Sequence, residues 1–321
     1  MVEFAEFKRE IMGGNVSPIY LFEGEETFLF ESAISDVKQK FVACPDLDFV
    51  TIEGSETNAN ELYSQILAFP FASQKRVVVV KEYYPNASEI SVLKDIFTNP
   101  PSDSVFIIAN VKNTENVKKQ KNVTVVKCLR QDGAVIVKWI QRELMSNGVE
   151  ISPQLALKIA EYSLFDMWKV SNETQKLLAY LGERGSVTND DVESVVVKDA
   201  EYKIYEMTEQ VGKRNFDGAL TILNEMLSNG EPAQKLLVSI YYYYRKLFHL
   251  VVSDKSESEL AVSFKSKEFA ITKMKKQAKT FKPKSLKSAI DMLADYDFYS
   301  KSGVMTIDSA LILSVFKLLV G

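Results

Sequence analysis

A single histidine, His249, and two cysteines, Cys44 and Cys128, are all that this 321-residue chain offers of the side chains most used in metal and nucleophilic chemistry. Two cysteines make no disulfide framework and no cysteine-based metal site. A zinc centre needs several His, Cys or carboxylate ligands held together, and no such cluster stands in the sequence. A Ser-His-Asp or Cys-His site would depend on His249, which lies in the apolar helical stretch "RKLFHLVV" and reads as a packed or half-exposed helical residue. No metal and no cofactor is expected, and composition disfavours the commonest routes of catalysis.

Long apolar runs are missing too. The N-terminal "MVEFAEFKREIMGG" carries acids and lacks an uninterrupted apolar core, so no signal peptide is expected. Near the C-terminus, "LILSVFKLLV" is too short to span a bilayer and contains Lys317. No membrane partner is expected, and the expected location is cytoplasmic. Neither sign of charge dominates, with a formal net charge of -4. The chain is 46% hydrophobic, enough for substantial cores, and its length suits two or three domains.

What is present is an alternation of strand and helix signals. Strands are predicted at 17–24, 47–54, 75–83, 103–111 and 122–129, where runs such as Val77-Val78-Val79-Val80 bury both faces. Between them, Leu29, Ala33, Val37 and Phe41 recur at helical spacing in 25–41, and further helices are predicted at 58–68 and 88–100. Continuous β-branched runs alternating with helices argue for a parallel sheet covered on both faces. After about Gln131 the strand signals stop. Helices are expected at 133–147, at the Ser152-Pro153 start and after the capping-box-like Thr188 to Asp191. Beyond Lys198 longer helices are expected at 204–211, 217–227, 232–252, 266–279, 284–300 and 305–320. The expected fold class is thus α/β plus all-α. Residues 1–131 form a P-loop-ATPase-like parallel sheet domain, 132–200 a small helical lid-like domain, and 201–321 a helical bundle. No repeat at a fixed period is present.

The first strand-to-helix turn, "YLFEGEETFLFE", is where such a domain would bind a triphosphate. A working phosphate loop reads G-x-x-x-x-G-K-[ST], with the lysine on the phosphates and the hydroxyl on magnesium. Here Gly24 is followed by Glu25 and Glu26. Two carboxylates would repel a triphosphate, and they suit the first turn of a helix. The turn is expected to be a degenerate phosphate loop without ATP chemistry.

A second turn is unusual for the opposite reason. In "ILAFPFASQKRVVVV" the connection between helix and strand should be polar, yet it carries Phe69-Pro70-Phe71. Either the rings pack back onto the sheet, which fits Phe69 best, or Phe71 projects outward as a binding anchor.

Several stretches, taken in order, carry a family resemblance. "PIYLFEGEETFLFESAI" resembles the opening of the delta subunit of the bacterial DNA polymerase III clamp loader, where a Gly-Glu-Glu turn replaces the phosphate loop. "FPFASQKRVVVV" is similar to that family's apolar loop, "NETQKLLAYLG" to its Asn-Glu-x-x-Lys-Leu helix, "GEPAQKLLVSIYYYYRKL" to the start of its collar, and "DYDFYSKSG" to its Asp-x-x-x-Lys-x-Gly segment. One departure is that Pro70-Phe71 has one ring where the family often has two bulky residues, so Phe69 is the candidate second anchor. The resemblance implies a subunit of the DNA-directed DNA polymerase holoenzyme with no intrinsic activity. Such a subunit binds the sliding clamp (the beta subunit) through Phe71, Pro70 and Phe69 and favours its opening. It joins gamma/tau and delta-prime type subunits through the 201–321 collar, and it acts on primed DNA without sequence preference.

Nine lysines between 265 and 287, including Lys273, Lys275, Lys276 and Lys279, face a single Glu268. They read as a solvated helix face or as contacts to nucleic-acid phosphates. Tyr241 to Tyr244 surround a helix and are expected to divide between core and interface. Asp297 and Lys301 stand four apart in the stabilising order. Two rival readings remain: an ATPase with an atypical phosphate site, and a helical adaptor unrelated to replication with Phe69 and Phe71 in its core.

Overall fold

The computed structural model describes residues 2–264, 266 and 268–320. It divides into two compact units, Met1–Asp132 and Gly133–Gly321.

In the first unit, six strands form one parallel sheet: β1 (Val2–Glu3), β2 (Ile19–Glu23), β3 (Phe49–Glu53), β4 (Arg76–Lys81), β5 (Ser104–Asn110) and β6 (Val123–Lys127), in the order β1-β6-β2-β5-β4-β3. The registers pair Val78 with Phe106 and Leu21 with Ile108, so the most apolar runs lie at the centre. Because strand side chains alternate, each run feeds two cores. Tyr20, Phe22, Val77, Val79 and Ile107 pack with Phe7 and Ile11 of the helix Phe4–Met12 and with Leu29, Ala33, Val37 and Phe41 of the helix Thr27–Phe41. Ile19, Leu21, Val78, Val80, Phe106 and Ile108 pack on the other face. Their partners are Leu62 and Ile66 of the helix Ala59–Leu67, and Leu93, Ile96 and Phe97. The doubly covered parallel sheet expected from the valine runs is observed.

Sequence patterning missed the helix Phe4–Met12 and the two-residue β1, whose apolar signal is interrupted by acids. It also read 88–100 as one helix, whereas the structure has Ala87–Val92 and Lys94–Thr98, separated at Leu93.

The second unit is helical. Ser152 caps the helix Pro153–Tyr162 by accepting from the Leu155 amide at 3.2 Å, with proline in the first turn. Thr188 and Asp191 form a complete capping box, aspartate serving where Glu or Gln is usual. Farther on, the helix Ala233–Val252 packs against the helices Glu268–Ala278, Pro283–Lys301 and Ile307–Val320 around Leu237, Ile240, Tyr244 and Leu247. The expected single helix at 266–279 begins at Glu268, and a separate helix Glu257–Phe264 precedes it. Lys265 and Lys267 lie outside the described residues.

Candidate functional site: the 68–75 loop and the 24–26 turn

The helix Ala59–Leu67 ends because Ala68 turns extended and Pro70 cannot continue it. Five bends at 71–75 then lead into β4. Phe69 is 83% exposed and Phe71 79% exposed, with Pro70 half-buried between them. The expectation that Phe69 best fits a packed ring is therefore wrong. The helical period that suggested it stops at Leu67, and the extended backbone at Ala68 turns the following ring away from the sheet.

The loop backbone is held from below. Asp48, 0% exposed at the end of the short helix Pro45–Asp48, accepts from the Phe71 amide at 2.6 Å, Ala72 at 3.0 Å and Ser73 at 2.9 Å. Burial alone would raise its pKa, but these amides and the Ser73 hydroxyl outweigh that and hold the carboxyl at about 2. The Ser73 hydroxyl accepts from the amides of Ala43 at 2.9 Å and Cys44 at 3.1 Å. Arg76 spans both flanks, donating to the Leu47 carbonyl at 2.8 Å, the Gln65 carbonyl at 2.9 Å and the Gln65 side chain at 2.7 Å. Sequence reasoning missed Asp48. It stands 23 residues from Phe71, inside what reads as a strand start, and no local pattern marks it.

At the other candidate turn, Gly24 adopts φ +145, and a Cβ there would stand 2.1 Å from the Cys128 carbonyl oxygen. The Gly24 amide donates to the Asn110 carbonyl at 3.3 Å and the Glu26 amide to the Cys128 carbonyl at 3.0 Å. Two amides of this turn are thus bonded to neighbouring backbone. Glu25 pairs with Arg130 at 3.0 Å, and Glu26 is buried as the residue preceding the helix Thr27–Phe41. The acids stand before the first helical turn and not in it, because the helix starts at Thr27.

The lysines of the 273–279 segment fall into two kinds. Lys273 is half-buried, paired with Glu161 at 2.9 Å and lying 5.2 and 5.0 Å from the ring centres of Tyr202 and Tyr205. Lys275 pairs with Glu257 at 3.3 Å, whereas Lys276 and Lys279 are exposed. His249 is exposed on its helix, its ring 6.1 Å from that of Phe264. Tyr243 and Tyr244 are buried and Tyr242 is exposed, the expected mixture. Asp297 and Lys301 pair at 2.7 Å. Among the described residues no group of three or more His, Cys, Asp or Glu is placed to hold a metal ion, and no helix is long and apolar enough to cross a membrane.

The first unit therefore has the architecture of a P-loop-ATPase-like domain, with its first turn closed by backbone at the C-terminal end of β2 and an apolar loop exposed at the opposite end of the sheet, where it enters the N-terminal end of β4. Family models agree with that scaffold. "DNA polymerase III, delta subunit" matches residues 20–138, and "DNA polymerase III delta subunit, C-terminal domain" matches 201–318. The chain belongs to the DNA polymerase III delta subunit family, which sets it among the proteins of DNA replication. It is 24% identical to the DNA polymerase III subunit delta of Bacillus subtilis, over 97% of this chain and 94% of that one. It is 20% identical to the probable DNA polymerase III subunit delta of Aquifex aeolicus, over 88% and 86%. Among solved structures, the Bacillus subtilis DNA clamp loader delta protein shares the fold with a TM-score of 0.76 at 20% identity, covering 99% of this chain and 100% of that one.

Proposed function

We propose that this chain is the clamp-holding subunit of a bacterial clamp loader, docking on the sliding clamp through Phe71, with Phe69 and Pro70 beside it. The observation that carries the reading is the exposure of two phenylalanine rings, one on each side of Pro70, on a loop whose backbone is tethered to buried Asp48. Apolar anchors of this kind concentrate binding energy. Opening a closed ring requires only preferential affinity for its open form, because a ligand shifts an equilibrium by its differential binding. No catalytic residue is needed, and no ATP hydrolysis is assigned to this chain. The Gly24-Glu25-Glu26 turn supports that assignment, with two amides bonded to backbone and two glutamates at the sequence positions of the phosphate loop.

In this reading 1–131 is the clamp-binding domain, 132–200 the lid and 201–321 the collar that joins gamma/tau and delta-prime type subunits. The assembly works in the cytoplasm on primed DNA, contacted through its phosphates by Lys276 and Lys279, a role their exposure supports.

The test is binding of the purified chain to the sliding clamp of the same organism. Wild type is expected to bind, and Phe71→Ala to bind at least tenfold more weakly, about 1.4 kcal/mol, with an unchanged circular dichroism spectrum. A wild-type chain that leaves the clamp unbound, or a Phe71→Ala chain that binds as wild type, overturns the reading.

A further inference from the structure

Loop backbone is ordinarily the least constrained part of a domain. In the 68–75 loop, three consecutive amides converge on one side chain. Asp48 Oδ1 takes the Phe71 amide, and Oδ2 takes those of Ala72 and Ser73. Successive amides turned on one anion form a nest, and a buried carboxylate is tolerated only when satisfied in this way. The tie is mutual: the carboxylate needs the loop, and the loop backbone is set by the carboxylate.

The other end of the loop is fixed independently. Arg76 holds Gln65, and the Ser104 hydroxyl donates to the Ile66 carbonyl at 2.8 Å. Only residues 67–70 bridge from there to the anchored Phe71 amide, and Pro70 has its own φ fixed by its ring. The Phe71 ring thus projects into water from a residue whose own amide donates to a fully buried carboxylate. Exposed apolar side chains on unrestrained loops must be ordered on binding, and that ordering weakens affinity.

We infer that Asp48 is a positioning residue for the docking loop, setting the backbone from which Phe71 projects so that the ring meets its partner already placed. The inference rests on the reading that this loop docks on the sliding clamp. Asp48 itself stays buried and touches no partner; it acts through Phe71. Freeing even one backbone residue costs enough on rebinding to weaken the complex about tenfold.

The experiment is a double-mutant cycle on the full chain, with the sliding clamp of the same organism as the probe. Wild type, Phe71→Ala, Asp48→Asn and the double variant are compared for clamp affinity and for amide hydrogen exchange at residues 71–73. Asparagine retains one acceptor oxygen but replaces the other with an NH2 group opposed to backbone donors. The expected result is about tenfold weaker binding by Asp48→Asn, faster exchange at 71–73, and little further loss in the double variant relative to Phe71→Ala. Asp48→Asn binding as wild type, while Phe71→Ala is weakened, overturns the inference and leaves the docking reading standing. So does a loss by Asp48→Asn that adds in full to that of Phe71→Ala, since a general structural defect does not depend on the ring. Wild-type binding by Phe71→Ala defeats the docking reading, and the inference with it. Should Asp48→Asn fail to fold, Ser73→Ala replaces it in the same cycle. That variant removes the hydroxyl that bonds Asp48 and takes the amides of Ala43 and Cys44. A smaller, coupled loss is expected, and full additivity overturns the inference.

Discussion

Gly24 and Cys128 lie so close that no β-carbon fits between them: a Cβ on Gly24 would stand 2.1 Å from the Cys128 carbonyl oxygen and 2.6 Å from its carbonyl carbon. In a phosphate loop, glycine lets a ligand approach the backbone. Here it lets Cys128, the residue that follows β6, approach instead, and the Cys128 carbonyl accepts from the Glu26 amide.

Gly24→Ala is accordingly expected to destabilise the chain by at least about 2 kcal/mol, since both the positive φ and the backbone contact oppose a side chain. Differential scanning calorimetry checks it. A thermal transition unchanged from wild type would show that the two segments separate without cost.

The two cysteines should differ sharply in reactivity. Burial, with the Glu26 carboxylate near it, pushes the Cys128 thiol up to about 12, and Cys44 is half-buried. The thiolate is the reacting form. Iodoacetamide at pH 8 is expected to add one label to the native chain, at Cys44, and two after unfolding in guanidinium. Mass spectrometry reads both; rapid double labelling of the native chain would contradict the placement of Cys128.

Phe69→Ala and Phe71→Ala, whatever they do to partner binding, should leave stability within about 0.5 kcal/mol of wild type, because exposed side chains contribute little to folding. Urea denaturation with an unchanged midpoint is the expected outcome. A clear loss in either variant would mean that the ring packs against the domain in solution.

Lys273 and the Lys276–Lys279 pair should separate by assay. Lys273→Ala removes an ion pair with Glu161 and a cation over two tyrosine rings. A loss of about 1 kcal/mol, or about 3 °C in Tm, is expected. Lys276→Glu and Lys279→Glu should leave Tm unchanged and lower the salt dependence of DNA binding by about one unit of log–log slope each. Wild-type DNA affinity in both charge-reversed variants would remove these lysines from the DNA surface.

Acid should weaken the Asp48 tie in a defined window. Its folded pKa, about 2, lies below the unfolded carboxylate value of about 3.9. The stabilisation is therefore present in full above the unfolded value and is lost as pH falls through the folded one. The difference in urea midpoint between wild type and Asp48→Asn is expected to hold from pH 7 to pH 5 and to shrink by about half near pH 3. A difference that stays constant to pH 3 would mean that the carboxylate charge contributes nothing.

By itself the sequence determined the five longer strands of the parallel sheet, the covering helices at Thr27–Phe41 and Ala59–Leu67 and the caps at Ser152 and Thr188, because periodicity and capping act within a few residues. The covering helix Phe4–Met12 was not legible, its apolar signal being interrupted by acids. It also marked the two unusual turns, since Gly24-Glu25-Glu26 and Phe69-Pro70-Phe71 depart visibly from what phosphate binding and polar loops require. The outward direction of Phe69 was not legible there, because the helical period alone could not show that the helix stops at Leu67. Nor was the division of the lysines, which depends on Glu161, Tyr202 and Tyr205 arriving from other helices. Asp48 was the most hidden of all. Its role exists only once the segment entering β3 is brought under the loop entering β4 by parallel pairing of the two strands. Hydrogen bonds between residues so far apart in the chain are set by the packed sheet, and no local pattern encodes them.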